Sequence, residues 1–365
     1  MAPKTRDESA NTTSSRRRPD LKRRIDHCRV RLWYCWLDFR RRTRSGSLER
    51  QLIPQGFRGK DQEGDWKHRN RMRGYRKGLH VPRPDLVEAA EALFPGSNAI
   101  LNHVYWQIID PEQGLEKHRA SWLAALGPET QLALTQPTQK AIGAHYQRRS
   151  ISRRILRRLE NLGSLDALAA TALLVREAQE EGNEQLAFQC ARSAWALLLL
   201  ISSTLPFDSN APVMTALLGD ALLDHVHYRG EQVSIRSAPI HVYERILREH
   251  CLRREDAGKL GPSWACWVRE RLKLIHGKMG LDLLFALSLP TEATSTLRAD
   301  PARHLRFQED RIVRWKSLNY ILDWRWSQRS FIDDWIAFSK DPNSQWPELD
   351  SQVENSLGAI GRVSL

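Results

Sequence analysis

Residues 65–77, DWKHRNRMRGYRK, form a basic segment whose side chains have the groups that hydrogen-bond bases and phosphates. If these residues form a helix with Met72 facing a core, successive steps of about 100° place polar and basic side chains on the far side. The candidate contact residues on and beside that face are Lys67, Asn70, Arg71, Arg73, Gly74, Arg76 and Lys77. A basic helix face that is merely solvated has the same composition, so the pattern leaves both interpretations open.

Residue types within this segment predict different roles. An Asn side chain can bridge the edge of adenine and an Arg side chain the edge of guanine, so we expect Asn70 and Arg71 to contact bases. Lys67 and Lys77 lie near the ends of the segment and suit phosphates. Gly74 costs about 1 kcal/mol relative to Ala inside a helix. Its missing side chain would let the backbone approach a groove floor closely.

The charge of the chain is concentrated in the same region. The 365 residues have a formal net charge of +13. Residues 1–80 contain 23 Lys and Arg against 9 Asp and Glu, a net charge of +14, which leaves −1 for the remainder. A confined excess is typical of a module that binds polyanions, because each neutralised phosphate releases counterions. A solvated arm and a membrane-surface patch are the alternatives.

Several helices must position the basic segment. Residues 1–18 are polar and lack apolar periodicity, which predicts a disordered basic arm. From Pro19 to about Arg42, apolar residues recur every three or four positions, which predicts an amphipathic helix. Further helices are predicted over 47–54, capped by Ser47, over 65–77, capped by Asp65 and ended by Gly78, and over 85–94.

Residues 72–93, MRGYRKGLHVPRPDLVEAAEAL, resemble the second half of a Cro-like or lambda-repressor-like helix-turn-helix domain, the XRE family. Tyr75 to Gly78 match the aromatic-x-x-Gly end of a recognition helix, and Pro82 and Pro84 match the loop before the next helix. The resemblance implies that SLERQLIP is the preceding helix, that Met72 is buried and that the basic helix enters a DNA groove.

The chain departs from this family in three places within the matched residues 47–94. Gln55 to Gly64 stand where the family has a tight turn, and Ile53 and Pro54 stand where it has a small residue. Gly74 lies inside the segment that matches the recognition helix. The resemblance is therefore partial.

Two Arg and His pairs provide an enzymatic alternative. Arg245 with His250 and Arg271 with His276 have the Arg-x(4–6)-His spacing and resemble the helical HEPN-type ribonucleases. The residue after each Arg is Ile or Leu, where that family usually has a polar residue. The number of such spacings in the chain is close to what chance gives. A helical nuclease is therefore the runner-up to DNA binding.

Other chemical motifs are weak. His225 and His227 lie beside Asp224. On a predicted helix, side chains two positions apart point about 200° away from each other, which disfavours a shared metal ion. Asp333 and Asp334 are adjacent on a predicted helix, so their side chains also point in different directions. The five Cys form no Cys-x-x-Cys pair, and the chain has no Gly-rich phosphate loop. We predict no catalytic residue, no metal and no cofactor.

The remainder of the chain has almost exclusively helical periodicity and no strand alternation. Ser164 and Asn183 are candidate N-caps. The longest apolar run, Ala194 to Ile201, is too short to cross a bilayer. Helices are predicted near 113–126, 138–160, 164–181, 184–205, 211–227, 239–256, 263–288 and 303–340.

Together these patterns predict a mainly α protein, with a basic helix-turn-helix-like module followed by a larger all-helical domain. The predicted regions are a disordered arm (1–18), a nucleic-acid-binding module (19–98), a linker (99–112), a helical domain for oligomerisation or partner binding (113–345) and a flexible tail (346–365).

We expect a cytoplasmic, nucleoid-associated DNA-binding protein that does not bind membranes. Its expected nucleic-acid partner is duplex DNA. A homo-oligomer or a protein partner would form through the helical domain. The expected role is that of a bacterial transcriptional regulator or a DNA-binding factor of a mobile element. An interaction protein tethered to nucleic acid by its basic head is a further alternative.

Overall fold

A computed structural model describes residues 18–41, 48–52, 71–137, 146–236 and 238–322. The described chain is mainly helical, which confirms the predicted fold class at that level. It divides into two compact units, Met1–Gln113 and Gly114–Leu365. The predicted arm over 1–18 and the predicted tail over 346–365 lie outside the described residues, except for the helical backbone of Arg18.

The first unit packs five short helices around one long one. The long helix buries Val30, Trp33 and Leu37 in a shared core, and Met72 and Leu86 are buried in the same core. The helices are α1 (Arg18–Arg41), α2 (Leu48–Leu52), α3 (Arg71–Arg76), α4 (Pro84–Leu93), α5 (Ser97–Leu101) and α6 (Tyr105–Ile108). The amphipathic stripe predicted from Pro19 to Arg42 is therefore confirmed as the central core helix.

The segment 99–112, predicted as a linker, belongs to the packed part of the first unit. It contains the end of α5 and all of α6, and it buries Leu101, Tyr105 and Ile108. Burying large apolar side chains that lie this close together in sequence stabilises the fold, so they pack into the core rather than remain in a solvent-exposed linker. The first unit therefore ends near Gln113 rather than at residue 98.

The second unit is built around two largely buried helices, α10 and α11. The helices are α7 (Leu115–Ala125), α8 (Pro128–Leu134), α9 (Arg153–Leu162), α10 (Leu165–Glu180), α11 (Glu184–Ser202), α12 (Ala211–Ala221), α13 (Ile240–Asp256), α14 (Trp264–Ile275), α15 (Leu281–Ala286), α16 (Ser295–Arg298) and α17 (Pro301–Leu322). The predicted caps are confirmed, because Ser164 accepts from the amide of Ala167 and Asn183 from that of Leu186.

Short strands interrupt the helices, and sequence periodicity missed them. β1 (Thr135–Pro137) and β2 (Tyr146–Arg148) form an antiparallel pair. β3 (His227–Tyr228), β4 (Glu231–Val233) and β5 (Thr291–Ala293) form an antiparallel sheet in that order. Strands of two or three residues are too short to produce a visible alternation.

Three predicted helices have different bounds in the structure. Within the helix predicted over 138–160, residues 146–148 form β2 and α9 begins at Arg153, while 138–145 lie outside the described residues. The helix predicted over 263–288 is divided into α14 and α15 because Gly277 takes a positive φ of 67°, and a Cβ there would lie 2.5 Å from that of Leu284. The helix predicted over 211–227 ends at Ala221. The part of 303–340 beyond Leu322 lies outside the described residues.

One described helix, α11, is long and apolar enough to span a membrane. Most of its length is buried inside the second unit, against α10 and other helices. This burial fits the core helix of a soluble protein.

Candidate nucleic-acid interface

Helix α3 is anchored to the core of the first unit by one face. Met72 and Tyr75 are buried, which confirms the inward position predicted for Met72. The ring of Tyr75 meets that of Trp33 on α1 edge to face, with centroids 6.0 Å apart and an interplanar angle of 86°. The opposite face of α3 therefore points away from this core.

The end of α3 is fixed by Gly78, as the sequence predicts. Gly78 has a φ of 68°, its amide donates to Tyr75 O at 2.9 Å, and the Leu79 amide donates to Gly74 O at 3.0 Å. These two bonds close a Schellman motif. A Cβ on Gly78 would lie 2.4 Å from the carbonyl oxygen of His27 on α1, so only glycine allows this close approach.

The outward face of α3 is basic. Arg73, Arg76 and Lys77 are exposed, and none of the three forms an ion pair with another residue in the described ranges. Arg83, just after the following loop, is also exposed. Three cations so close together produce a local positive potential, and no carboxylate among the described residues pairs with them.

The structure describes only part of the predicted contact set. Lys67 and Asn70 lie outside the described residues, as does the predicted start of the helix at Asp65. Arg71 is the first residue of α3, and its side chain is also outside what the structure describes. Among the described members, Arg73, Arg76 and Lys77 share the exposed surface.

Gly74 has a neighbour that the sequence did not reveal. A Cβ at this position would lie 3.2 Å from Cδ2 of His80. The exposed ring of His80 therefore lies close beside the backbone of α3 at Gly74. We predicted that Gly74 would let the backbone of α3 approach a groove floor. That prediction is incomplete, because any molecule that approaches here would contact His80 as well.

Two apolar side chains next to α3 are unusually exposed. Leu79 is 58% exposed and Val81 is 48% exposed, and they flank His80 in the loop that leads to α4. Sequence analysis assigned this loop only through its prolines. Pro82, between Val81 and Arg83, is buried and holds the loop against the unit.

Helix α1 is basic as well, but part of its charge is paired. Arg29 binds Asp26 at 2.7 Å and Arg41 binds Asp38 at 3.0 Å, each one turn apart. The guanidinium of Arg40 lies 5.5 Å from the ring centre of Trp36. The pairing of Arg29 and Arg41 makes α3 the better candidate surface for an external anion.

The two Arg and His pairs of the nuclease alternative lie in different settings. Arg271 is fully buried and donates to the carbonyl oxygens of Leu200 and Ser203 at 3.4 and 3.0 Å. Its partner in the motif, His276, instead contacts Glu160 at 2.9 Å. His250 is buried against Glu270 at 3.1 Å. Arg271 is therefore not accessible to a phosphate.

The His225 and His227 pair is not helical, contrary to the prediction. His225 ends a 3-10 turn (Leu223–His225) and His227 begins β3, because the chain leaves helical geometry after α12. Within the described ranges, no three His, Cys, Asp or Glu side chains are grouped closely enough to hold a metal ion.

Comparison of this chain with protein-family models, curated proteins and solved structures returned no match.

Proposed function

We propose that the first unit binds duplex DNA through the exposed face of α3 and the basic residues that precede it. The observation that carries this proposal is the arrangement of Arg73, Arg76 and Lys77. All three are exposed and have no ion-pair partner among the described residues, while Met72 and Tyr75 fix the other face of the helix in a core. A rigid support with unpaired cations meets the requirement for phosphate contacts without a large rearrangement.

The charge distribution supports the same assignment. The first unit has 24 Lys and Arg against 14 Asp and Glu, a net charge of +10, and the second unit therefore has +3. Such a field attracts a polyanion and speeds its association. It also makes the strength of binding depend steeply on salt.

The apolar residues beside α3 suit the grooves of DNA rather than the phosphates alone. Leu79 and Val81 are exposed on the loop that follows Lys77 and Gly78. Apolar side chains contact thymine methyl groups and sugars, which a purely electrostatic tether does not need. Asn70 and Arg71 remain our assignments for base edges, and Lys67 and Lys77 for phosphates.

On this proposal the protein is a DNA-binding regulator or a DNA-binding factor of a mobile element, associated with the nucleoid in the cytoplasm. The second unit would supply self-association or a protein partner. Its nearly balanced charge and its separate core fit such a role.

The test is equilibrium binding of the full chain to duplex DNA, single-stranded DNA and RNA of equal length, by fluorescence anisotropy from about 50 to about 400 mM salt. We expect the tightest binding to duplex DNA and a negative log–log slope of several units, since each neutralised phosphate contributes about −0.9. Binding that is independent of salt, or that prefers RNA at every salt concentration, would overturn the proposal.

Single substitutions then separate base contacts from phosphate contacts. Asn70→Ala or Arg71→Ala should lose about 1–3 kcal/mol on a selected site and relax the preference at one base pair. Lys67→Ala or Lys77→Ala should weaken binding to all sequences equally and reduce the salt slope by about one unit. Equal behaviour of all four variants would contradict the assigned roles.

A further inference from the structure

The second unit contains a cavity of about 550 Å³ that the DNA-binding proposal does not use. Its walls come from α9, from α11, and from the segment that runs from the end of α14 through α15 to Leu289. The volume lies within the range of about 300–1,000 Å³ that small-molecule sites occupy in proteins.

Four cations line this cavity. Arg153 and Arg157 lie one turn apart on α9, Arg192 faces them from α11, and Lys278 follows the end of α14. All four are exposed, and none of them forms an ion pair with another residue in the described part of the chain. Guanidinium groups bind phosphate oxygens bidentately, and here arginines from two helices line the same cavity.

Among the described residues, the one carboxylate in the cavity wall is already bound. Glu160 is buried, accepts a hydrogen bond from Ser193 Oγ, and lies 2.9 Å from Nε2 of His276. Its two oxygens are thus held by Ser193 and His276 rather than by the arginines. With four cations against one carboxylate, the cavity has a formal charge of +3, which favours a dianionic group such as a phosphate monoester over a monoanion.

Part of the cavity lining is apolar and buried. Leu156, Trp195, Ala196 and Ile275 contribute to its lining. The indole nitrogen of Trp195 donates to Leu287 O at 2.9 Å, so its hydrogen-bonding group is already satisfied. A ligand that reaches this part of the cavity gains from burying a ring or hydrocarbon, not from further polar groups.

We propose that this cavity is a binding site for a small organic phosphate, a phosphate monoester attached to a ring body, as in a nucleoside monophosphate. The phosphate contacts Arg153, Arg157, Arg192 and Lys278 at the mouth, and the body lies against the apolar interior. The site belongs to the second unit alone and does not depend on DNA binding by the first.

Isothermal titration calorimetry of the full chain tests this, with adenosine monophosphate, ribose 5-phosphate and adenosine as probes. We expect saturable one-to-one binding of adenosine monophosphate, weaker binding of ribose 5-phosphate, and no measurable binding of adenosine. Arg157→Gln and Arg192→Gln should each weaken binding of the monophosphate about tenfold, because each removes a charge-assisted contact. Arg154→Gln is the matched control, since Arg154 is exposed on the same helix and is not part of the cavity lining.

Each alternative outcome counts against the site. Absence of saturable binding by either phosphate, or equal binding of adenosine and its monophosphate, would overturn it. So would an equal loss in Arg154→Gln and Arg157→Gln, which would indicate diffuse charge attraction. Repeating the titration with Arg73→Gln/Arg76→Gln/Lys77→Gln separates the two proposals, because that variant should retain full binding of the monophosphate. Thermal unfolding of each variant checks that the fold is intact.

Discussion

The basic residues of α3 and those of α13 and α14 have similar composition but different surroundings. On α3, Arg73, Arg76 and Lys77 point away from the core and have no ion-pair partner in the described chain. On α13 and α14, Glu270 is only 3% exposed and is contacted by His250 at 3.1 Å and by Arg254 and Lys273 at 2.8 Å. The cations around Glu270 are held in ion pairs within the second unit, whereas those of α3 are the ones we propose to contact DNA.

The number of arginines in a segment therefore does not show whether it binds an anion. The ion pairs that these arginines form within the protein must be known first. A buried ion pair that loses one member leaves an uncompensated charge, so such a residue is tied to stability. An exposed cation without a partner contributes almost nothing to stability. Substitutions around Glu270 should therefore lower stability, whereas substitutions on α3 should lower DNA affinity and leave stability nearly unchanged.

The largest expected effect on stability comes from Arg271. Arg271→Met should destabilise the second unit by about 2–3 kcal/mol, because it leaves the carbonyl oxygen of Ser203 without its arginine donor and leaves that of Leu200 with only the hydroxyl of Ser203. Arg76→Met should change stability by less than about 0.5 kcal/mol. Chemical denaturation of both variants measures the contrast. Equal stability losses would show that the distinction between the two sets of cations is mistaken.

A smaller loss is expected from Gly78, which fixes the end of α3. Gly78→Ala should destabilise the first unit by about 2 kcal/mol, since it combines an unfavourable positive φ with a clash against His27 O. Gly182→Ala is the control, because Gly182 has nearly the same φ of 66° and no neighbour within 4 Å. It should lose only about 1 kcal/mol.

Hydrogen exchange of α1 and α3 for Gly78→Ala, and of α10 and α11 for Gly182→Ala, measures these losses unit by unit. A Gly78 variant no worse than the control would show that α3 does not approach α1 as closely as described.

A pH-dependent effect is expected from Glu244. Burial raises the pKa of this carboxyl from 4.5 to about 7, even though Arg248 lies 3.2 Å away. Between these two values the folded state binds more protons than the unfolded state, so stability should fall as pH rises through this window. Glu244→Gln should remove that fall. Burial lowers the pKa of His250, which acts in the opposite direction but is present in both proteins.

Denaturation at a series of pH values checks this prediction. Parallel stability profiles for Glu244→Gln and the unmodified chain would mean that Glu244 is ionised throughout the window.

The smallest effect is expected at Gly74. Gly74→Ala should gain up to about 1 kcal/mol in helix stability, reduced by the contact of the new methyl with His80. The double variant with His80→Ala should show the full gain. If α3 faces DNA, both variants should bind duplex DNA more weakly in spite of greater stability. Gains in both stability and affinity would exclude close approach of DNA to this part of α3.

Much of the helical framework was predictable from the sequence. The stripe on α1, the caps at Ser164 and Asn183, and the glycine end of α3 all rest on local patterns of side chains. The short strands and the division between α14 and α15 were missed because they depend on contacts distant in sequence, such as the pairing of β4 with β5. The segment 99–112 was misassigned because its apolar residues have no clear period.

The candidate surfaces were predictable only in part. Residue types indicated the basic face of α3, but neither the position of His80 over Gly74 nor the exposure of Leu79 follows from spacing. The cavity of the second unit was missed altogether. Its only local signal is the stripe of Arg153, Arg157 and Glu160 on one helix, and the opposing residues come from α11 and from beyond α14. Such convergence appears only in the folded chain.

The most direct test of the central claim compares two triple variants with the same loss of charge. Arg73→Gln/Arg76→Gln/Lys77→Gln removes the cations of α3. Arg154→Gln/Arg298→Gln/Arg311→Gln removes three exposed cations of the second unit that also lack ion-pair partners among the described residues. Both variants should retain the fold, because exposed unpaired cations contribute little to stability.

Binding of each variant to duplex DNA is measured across salt. The α3 variant should lose affinity strongly at low salt and have a log–log slope shallower by about two to three units, whereas the second-unit variant should keep the slope of the unmodified chain. Equal slopes and equal affinities for the two variants would contradict the assignment of α3 as the DNA-binding surface.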